Sequence, residues 1–423
     1  MDIDPTATIR VDDLPPAGRA LRIAVVTETY PPEVNGVSMT TARLVEGLVD
    51  RGHRIQLIRP RQCASDAPDD SRLLHQVLLR GLPIPRYPHL RMGMPARREL
   101  IGLWSVQRPD LVHIVTEGPL GWSALRASIR LRLPVCSDFR TNFHAYSRHY
   151  GVGWLHRPIV AYLRKFHNRT LCTMVPTEEL ARELAGRGFR RLQVVARGVD
   201  TRRFDPARRS PALRASWGCG PDTRVVLHVG RLAPEKNLAV LADAFEAMRE
   251  VDRGLRLLLV GDGPAARELR ARCPNAIFAG MRHGEDLAAH YASADAFVFP
   301  SLTETYGNVV PEAMASGLPV LAFDCAAASR LIANGHNGLL APPGDAAAFR
   351  TQALRLAAEP GAAREMGTRA RDTARSLDWD RIVGQVEAAF DSAIRAHALE
   401  PVGRRPSARP GRAEADGAQA SNP

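Results

Sequence analysis

Apolar residues in this chain fall into short unbroken runs separated by stretches of helical period. The run LRIAVVTE (21–28) is rich in β-branched residues and stops at TYPPEVNG, so it reads as a strand buried on both faces of a parallel sheet. TTARLVEGLVDRG (40–52) then repeats its apolar positions at helical spacing, and HRIQLIRP (53–60) is a second strand. This β-loop-α-β order opens a doubly wound sheet. DLVHIVTE, LPVCSDFR, TMVPTE and LQVVARG continue it, giving a first domain over 21–197. Residues 198–220 alternate Gly, Pro and charge without a sustained period and form an interdomain segment with one short helix. A second α/β series follows over 221–375, with strands at TRVVLHVGR, RLLLVGDGP, NAIFAG, AFVFPS and LPVLAF and a short apolar run at NGLLAPPG. A closing helix is expected over 376–400, around WDRIVGQVEAAFDSAIRAH. Residues 1–20 and 401–423 lack an apolar framework and are expected to be disordered. The fold class is α/β: two Rossmann-like domains, as 423 residues exceed one ordinary core.

Composition narrows this picture. With 45% hydrophobic and 24% charged residues, and no apolar run near the roughly 18–20 residues of a bilayer span, the pattern is that of a soluble protein. The acidic, Pro-containing start is no secretory signal, and the six cysteines (63, 136, 172, 219, 273, 325) are scattered without C-x-x-C. A cytoplasmic location with reduced thiols is the expectation. Net charge is +12, and residues 121–191 hold thirteen Arg/Lys against four acids. That surplus fits peripheral contact with an anionic membrane, at the inner face of the cytoplasmic membrane, or a plain solvated basic face. Nucleic acid is not expected, because there is no recognised nucleic-acid module and few aromatics to stack bases.

The candidate chemistry gathers at strand ends. Glu304 and Glu312 flank the turn Gly307-Asn308 before a helix. Amides at Gly307, Asn308 and Val309 suit a phosphate, whereas carboxylates suit sugar or ribose hydroxyls, so together they point to a sugar nucleotide. As a bare pair, the two glutamates also fit chance and an ordinary first-turn helix acid. Arg231 and Lys236 sit in a loop after a strand, where two cations can neutralise a diphosphate or simply be exposed. Gly36, after the first strand, permits close approach to a phosphate or a plain tight turn. GDGP (261–264) reads as a strand-to-helix turn. Asp378-Trp379-Asp380 reads as helix capping, so no metal site is expected. In the loop 137–151, Arg140 and His144 are the polar candidates, each with a structural alternative. In 151–169, Ile159, Leu163 and Phe166 share a helix face, either core-facing or a basic interfacial helix.

The block FVFPSLTETYGNVVPEAMASGLPV, with TETYPPEVNGVS and GRLAPEKN, resembles the retaining glycosyltransferases of family 4, which have the GT-B fold of two such domains facing across a cleft. The resemblance covers roughly residues 20–396. It is nearest in pattern to the GDP-mannose-dependent α-mannosyltransferases and the related sulfoquinovosyl- and glucosyl-diacylglycerol enzymes. It implies a metal-independent hexosyltransferase without a cofactor beyond its nucleotide-sugar donor, moving α-mannosyl from GDP-mannose to a lipid or glycan hydroxyl. A UDP-sugar donor with a diacylglycerol-type acceptor is the alternative, and a non-catalytic sugar-nucleotide binder is the alternative from another class. By the same resemblance Arg231 and Lys236 grip the diphosphate, Glu304 holds the donor sugar, Glu312 the ribose, and backbone near Met281 and Arg282 the base. Relatives carry Phe-His-Thr where this chain has Phe139-Arg140-Thr141, so either His144 or Arg140 stands in for that histidine.

Overall fold

The computed structural model describes residues 20–33, 35–63, 65–84, 87–140 and 156–399. The first domain carries β1 (Arg22–Val26), α1 (Gly36–Asp50), β2 (Arg54–Pro60), β3 (Leu74–Leu79), β4 (Gly81–Ile84), β5 (Tyr87–Gly93), α2 (Arg97–Val106), β6 (Leu111–Ile114), α3 (Pro119–Leu131), β7 (Val135–Asp138), α4 (His156–His167), β8 (Cys172–Val175), α5 (Glu178–Gly186) and β9 (Leu192–Val194). Seven of these strands form a parallel sheet in the order β3-β2-β1-β6-β7-β8-β9. The antiparallel hairpin β4–β5 stands apart from it.

The second domain holds α6 (Pro211–Ser216), β10 (Val225–Val229), α7 (Leu238–Val251), β11 (Arg256–Val260), α8 (Ala266–Arg272), β12 (Ile277–Gly280), α9 (Gly284–Ala292), β13 (Ala296–Phe299), α10 (Val309–Ala315), β14 (Val320–Phe323), α11 (Ala326–Leu331), β15 (Leu339–Ala341), α12 (Ala346–Ala358) and α13 (Pro360–Arg375). Its six strands are parallel, in the order β12-β11-β10-β13-β14-β15. In both sheets the strand order reverses beside the first strand, the switch point where α/β sheets open a crevice.

The central strands read as unbroken apolar runs because helices cover both their faces: every residue of β6, β10 and β13 is buried. The sequence reading did not name β3, the hairpin or helices α2 and α3. Strand β3 lies at the sheet edge with most of its residues only half-buried, so its pattern lacks the apolar run that marks a central strand. In the interdomain segment Asp205 caps a single 3₁₀ turn (Ala207 N–H to Oδ1, 2.8 Å) and Ser210 caps α6 (3.1 Å).

The last helix, α14 (Trp379–Leu399), does not stay with the second domain. Its face Ile382, Val383, Val386, Phe390 and Ala393 joins the core formed by Ile23, Val25, Leu44 and Leu48 of the first domain. Gly47 permits this approach, since a Cβ there would lie 2.6 Å from Val383 Cγ2. Asp378 Oδ1 accepts the N–H of Asp380 (2.9 Å) and Asp380 pairs with Arg51 (2.8 Å), which accounts for the D-x-D string as a helix start. In α4, Leu163 and Phe166 are buried in the first domain while Arg157, Arg164 and Lys165 are exposed. Two of the three residues on the apolar face of that helix, Leu163 and Phe166, are therefore spent on the core, as the core-facing alternative expects.

Candidate active site

The carboxyl ends of the two sheets face each other, and the residues expected on the donor side gather on the second. β10 runs out through Gly230 into Arg231 and a 3₁₀ turn, Pro234–Lys236. Lys236 Nζ forms an ion pair with Glu304 Oε1, and Arg231 pairs with the buried Glu235. Ser301 Oγ also donates to Glu304 Oε1 (2.7 Å). Burial alone would raise the Glu304 carboxyl, but the Lys236 charge and these hydrogen bonds outweigh it and hold the group below its ordinary value. Glu312, in the first turn of α10, forms no ion pair among the described residues, and the Arg203 charge offsets its burial only in part. It accepts the Tyr291 hydroxyl (3.0 Å), and burial pushes its carboxyl from 4.5 up to about 7. Two carboxylates on one wall are thus poised for different work.

The GDGP turn has a structural task here. A Cβ on Gly261 would sit 2.0 Å from Gly230 O, and one on Gly263 would sit 2.4 Å from Leu232 O; both have positive φ (134° and 157°). The turn lies directly behind the Arg231 loop and holds it through Leu232 N–H to Asp262 O (2.9 Å) and Ala265 N–H to Leu232 O (2.9 Å). Met281 and Arg282 follow the edge strand β12 at the rim, Met281 55% exposed and Arg282 bonded to Ala279 O (2.9 Å) and Asp286 (3.1 Å).

Asn308 joins the two walls. Gly36 opens α1 behind the cap Asn35, and a Cβ on it would rest 3.6 Å from Asn308 Nδ2. The same Nδ2 donates to Thr40 Oγ1 (3.4 Å), and Asn308 Oδ1 accepts from Arg197 Nη1 (3.3 Å). Gly307, Asn308 and Val309 therefore lie directly across from Gly36, with Gly307 at φ 85° letting the chain turn into α10.

On the first domain, Arg140 follows β7 and binds the buried Asp138 through Nε and Nη2, while His113 Nε2 lies 3.2 Å from the same carboxyl. Burial opposes ionisation of Asp138, yet the Arg140 guanidinium and the adjoining His113 hold it well below the carboxylate range. His144 lies outside the described residues. Three further polar residues escaped the sequence reading. Glu28, just past β1, accepts the amides of Gly93 and Leu120 (3.0 Å for the latter), and burial raises its carboxyl to about 7. Glu117 pairs with the buried His167 (3.1 Å). Arg197, beyond β9, is 8% exposed. The available signal was the same for all of them and for Asp138: a polar residue at the carboxyl end of a parallel strand.

Residues 34–203 match the family described as Glycosyltransferase Family 4, and residues 223–359 match Glycosyl transferases group 1. The GDP-mannose-dependent alpha-mannosyltransferase of Mycobacterium tuberculosis is 36% identical over 77% of this chain and 85% of its own length. The chain belongs to the family 4 glycosyltransferases. A second member with the same name, from Mycolicibacterium smegmatis, is 35% identical over 88% of this chain and 98% of its own. Among solved structures, a sucrose-phosphate synthase from Thermosynechococcus elongatus superposes with a TM-score of 0.71 over 89% of this chain and all of its own, at 20% identity. Similarity of this kind shows the shared GT-B fold. As a family 4 glycosyltransferase the chain is an enzyme. No helix among the described residues is long and apolar enough to cross a membrane, and no cluster of three or more His, Cys, Asp or Glu among them could hold a metal ion.

Proposed function

We propose that this enzyme transfers an α-mannosyl residue from GDP-mannose to a hydroxyl of a lipid or glycan, with retention at the anomeric carbon. The observation that carries the reading is the Lys236–Glu304 pair beside Arg231, in a chain whose relatives at 35–36% identity are named GDP-mannose-dependent α-mannosyltransferases.

As the bond from the sugar C1 to the β-phosphate oxygen breaks, its electron pair stays on the phosphate. Arg231, Lys236 and the amides at Gly307, Asn308 and Val309 meet that charge. Glu304, ionised and hydrogen-bonded, is suited to accept from the sugar's hydroxyls. Glu312 accepts from the ribose, and Met281 and Arg282 flank the base. The acceptor oxygen bonds to C1 from the same face, and its proton passes to the departing phosphate oxygen. No side chain is required as a nucleophile. If Arg231 and Lys236 take the diphosphate charge, turnover in excess EDTA should equal that in magnesium.

The acceptor binds against the first domain, where Arg140 is the candidate polar partner, with His144 the other candidate from the sequence. An acceptor in a membrane fits the basic surplus of residues 121–191, and flotation with anionic vesicles at low salt tests it. Purified protein should hydrolyse GDP-mannose slowly without acceptor, and GDP-mannose at 100 times its Kd should add about 2.7 kcal/mol of stability. Larger stabilisation by UDP-glucose or UDP-glucuronate would reassign the donor.

A further inference from the structure

The cations of the donor wall are neutralised before any ligand arrives: Lys236 by Glu304, and Arg231 by Glu235. The wall opposite differs. Arg197 is 8% exposed, yet the partners its guanidinium meets are neutral. Its Nη1 donates to Asn308 Oδ1 (3.3 Å), and the group lies 5.6 Å from the centre of the Tyr306 ring, whose hydroxyl donates to the Arg197 carbonyl (3.3 Å). Among the described residues no carboxylate forms an ion pair with it. Arg140 spends Nε and Nη2 on Asp138, and its Nη1 is buried with no partner among the described residues. Both arginines line one small pocket of about 30 Å³, together with Thr40 and Asp138.

A buried cation without a counter-ion is unfavourable, and a like charge beside it adds to the cost. Burial first and Arg140 second pull the Arg197 guanidinium down to about 10, outweighing Tyr306, Asp138 and Glu304, which favour its charge without pairing with it. Such an arrangement is relieved when a ligand brings an anion, and its place between Asn308 and Arg140 lies between the donor and acceptor walls. We propose that Arg197 and the Nη1 edge of Arg140 form an oxyanion subsite that takes a phosphate or carboxylate group. The group has two sources: the β-phosphate of the donor, or an anionic substituent carried by the acceptor. The inference rests on the donor reading above.

Titration calorimetry on the full chain separates the sources. The variants are R197Q, which keeps a hydrogen-bond donor toward Asn308 but no charge, and R197K, which keeps the charge. If the subsite takes the donor's β-phosphate, R197Q weakens GDP at least tenfold and GMP less than twofold. If it takes an acceptor anion, R197Q leaves GDP unchanged, and inorganic phosphate binds GDP-saturated wild type but not GDP-saturated R197Q. In either case R197K recovers part of the affinity. R197Q indistinguishable from wild type with GDP, GMP and phosphate overturns the proposal. K236A, titrated in parallel, loses GDP affinity if the donor reading holds. Unchanged GDP binding in K236A rejects that reading separately, whatever Arg197 does.

Discussion

Replacing Lys236 with methionine removes the cation that neutralises Glu304 while retaining most of the side chain's bulk. Two effects should separate. In catalysis, a charge that meets the leaving diphosphate is lost, worth about 3–4 kcal/mol, or roughly a hundred- to a thousandfold in turnover. In stability, Glu304 is left partly buried with Ser301 as its remaining close partner, at a cost of about 1–3 kcal/mol. The pH dependence identifies the cause. In the wild type the Glu304 carboxyl is held below its unfolded value, so its stabilisation is present above about 4.5 and is lost as pH falls further. In the variant the group should behave as Glu312 does on the same wall, where burial raises the carboxyl to about 7. The folded variant then binds a proton that the unfolded chain has released, and its stability declines as pH rises from about 4.5 through neutrality. Calorimetric melting at pH 5 and pH 7.5 reads this directly, since 1 kcal/mol corresponds to roughly 2–4 °C in domains of this size. The double variant K236M/E304Q should recover the stability without the activity. Wild-type turnover in K236M, or a stability loss equal at both pH values, would refute the reasoning.

Glu312→Gln removes a group whose folded value lies above its unfolded one, so the loss of stability expected in wild type between about pH 4.5 and 7 should flatten, by up to about 3 kcal/mol, and donor affinity should drop. Melting curves across that range, with GDP titration, check both. Gly261→Ala should weaken GDP binding although residue 261 contacts no donor group in the proposed site, because the new Cβ drives into Gly230 O and shifts the Arg231 loop; unchanged GDP affinity contradicts this. Arg140→Met should cost about 3–5 kcal/mol in urea unfolding, since it leaves Asp138 buried with His113 alone, and the Asp138→Asn change added to it should restore much of that loss.

Much of this enzyme was legible in order along the chain. Central parallel strands announce themselves because burial on both faces demands unbroken apolar runs, so β1, β2, β6, β10 and β13 were read correctly, and with them the loops that carry Gly36, Arg231, Lys236 and Glu304. Edge elements follow no such rule: β3 and the β4–β5 hairpin mix polar and apolar positions, and their pairing comes from neighbours distant in sequence. The helix α14 was foreseen from its period, but periodicity does not say which core a helix joins, and contact with α1 sends it to the first domain. The candidate site divides along the same line. Residue type and position after a strand single out Glu304, Glu312, Arg231 and Lys236, the set proposed above for a sugar nucleotide. Charge state depends on what lies opposite in space: Lys236 keeps Glu304 ionised, burial brings Glu312 to about 7, and Asn308 bridges to Arg197 from 111 positions away. Local pattern was enough for two sheets and for the residue types at their ends, because burial and turn chemistry are written along the chain; which charges pair, and that Arg197 forms no ion pair among the described residues, follows from packing between segments far apart in sequence.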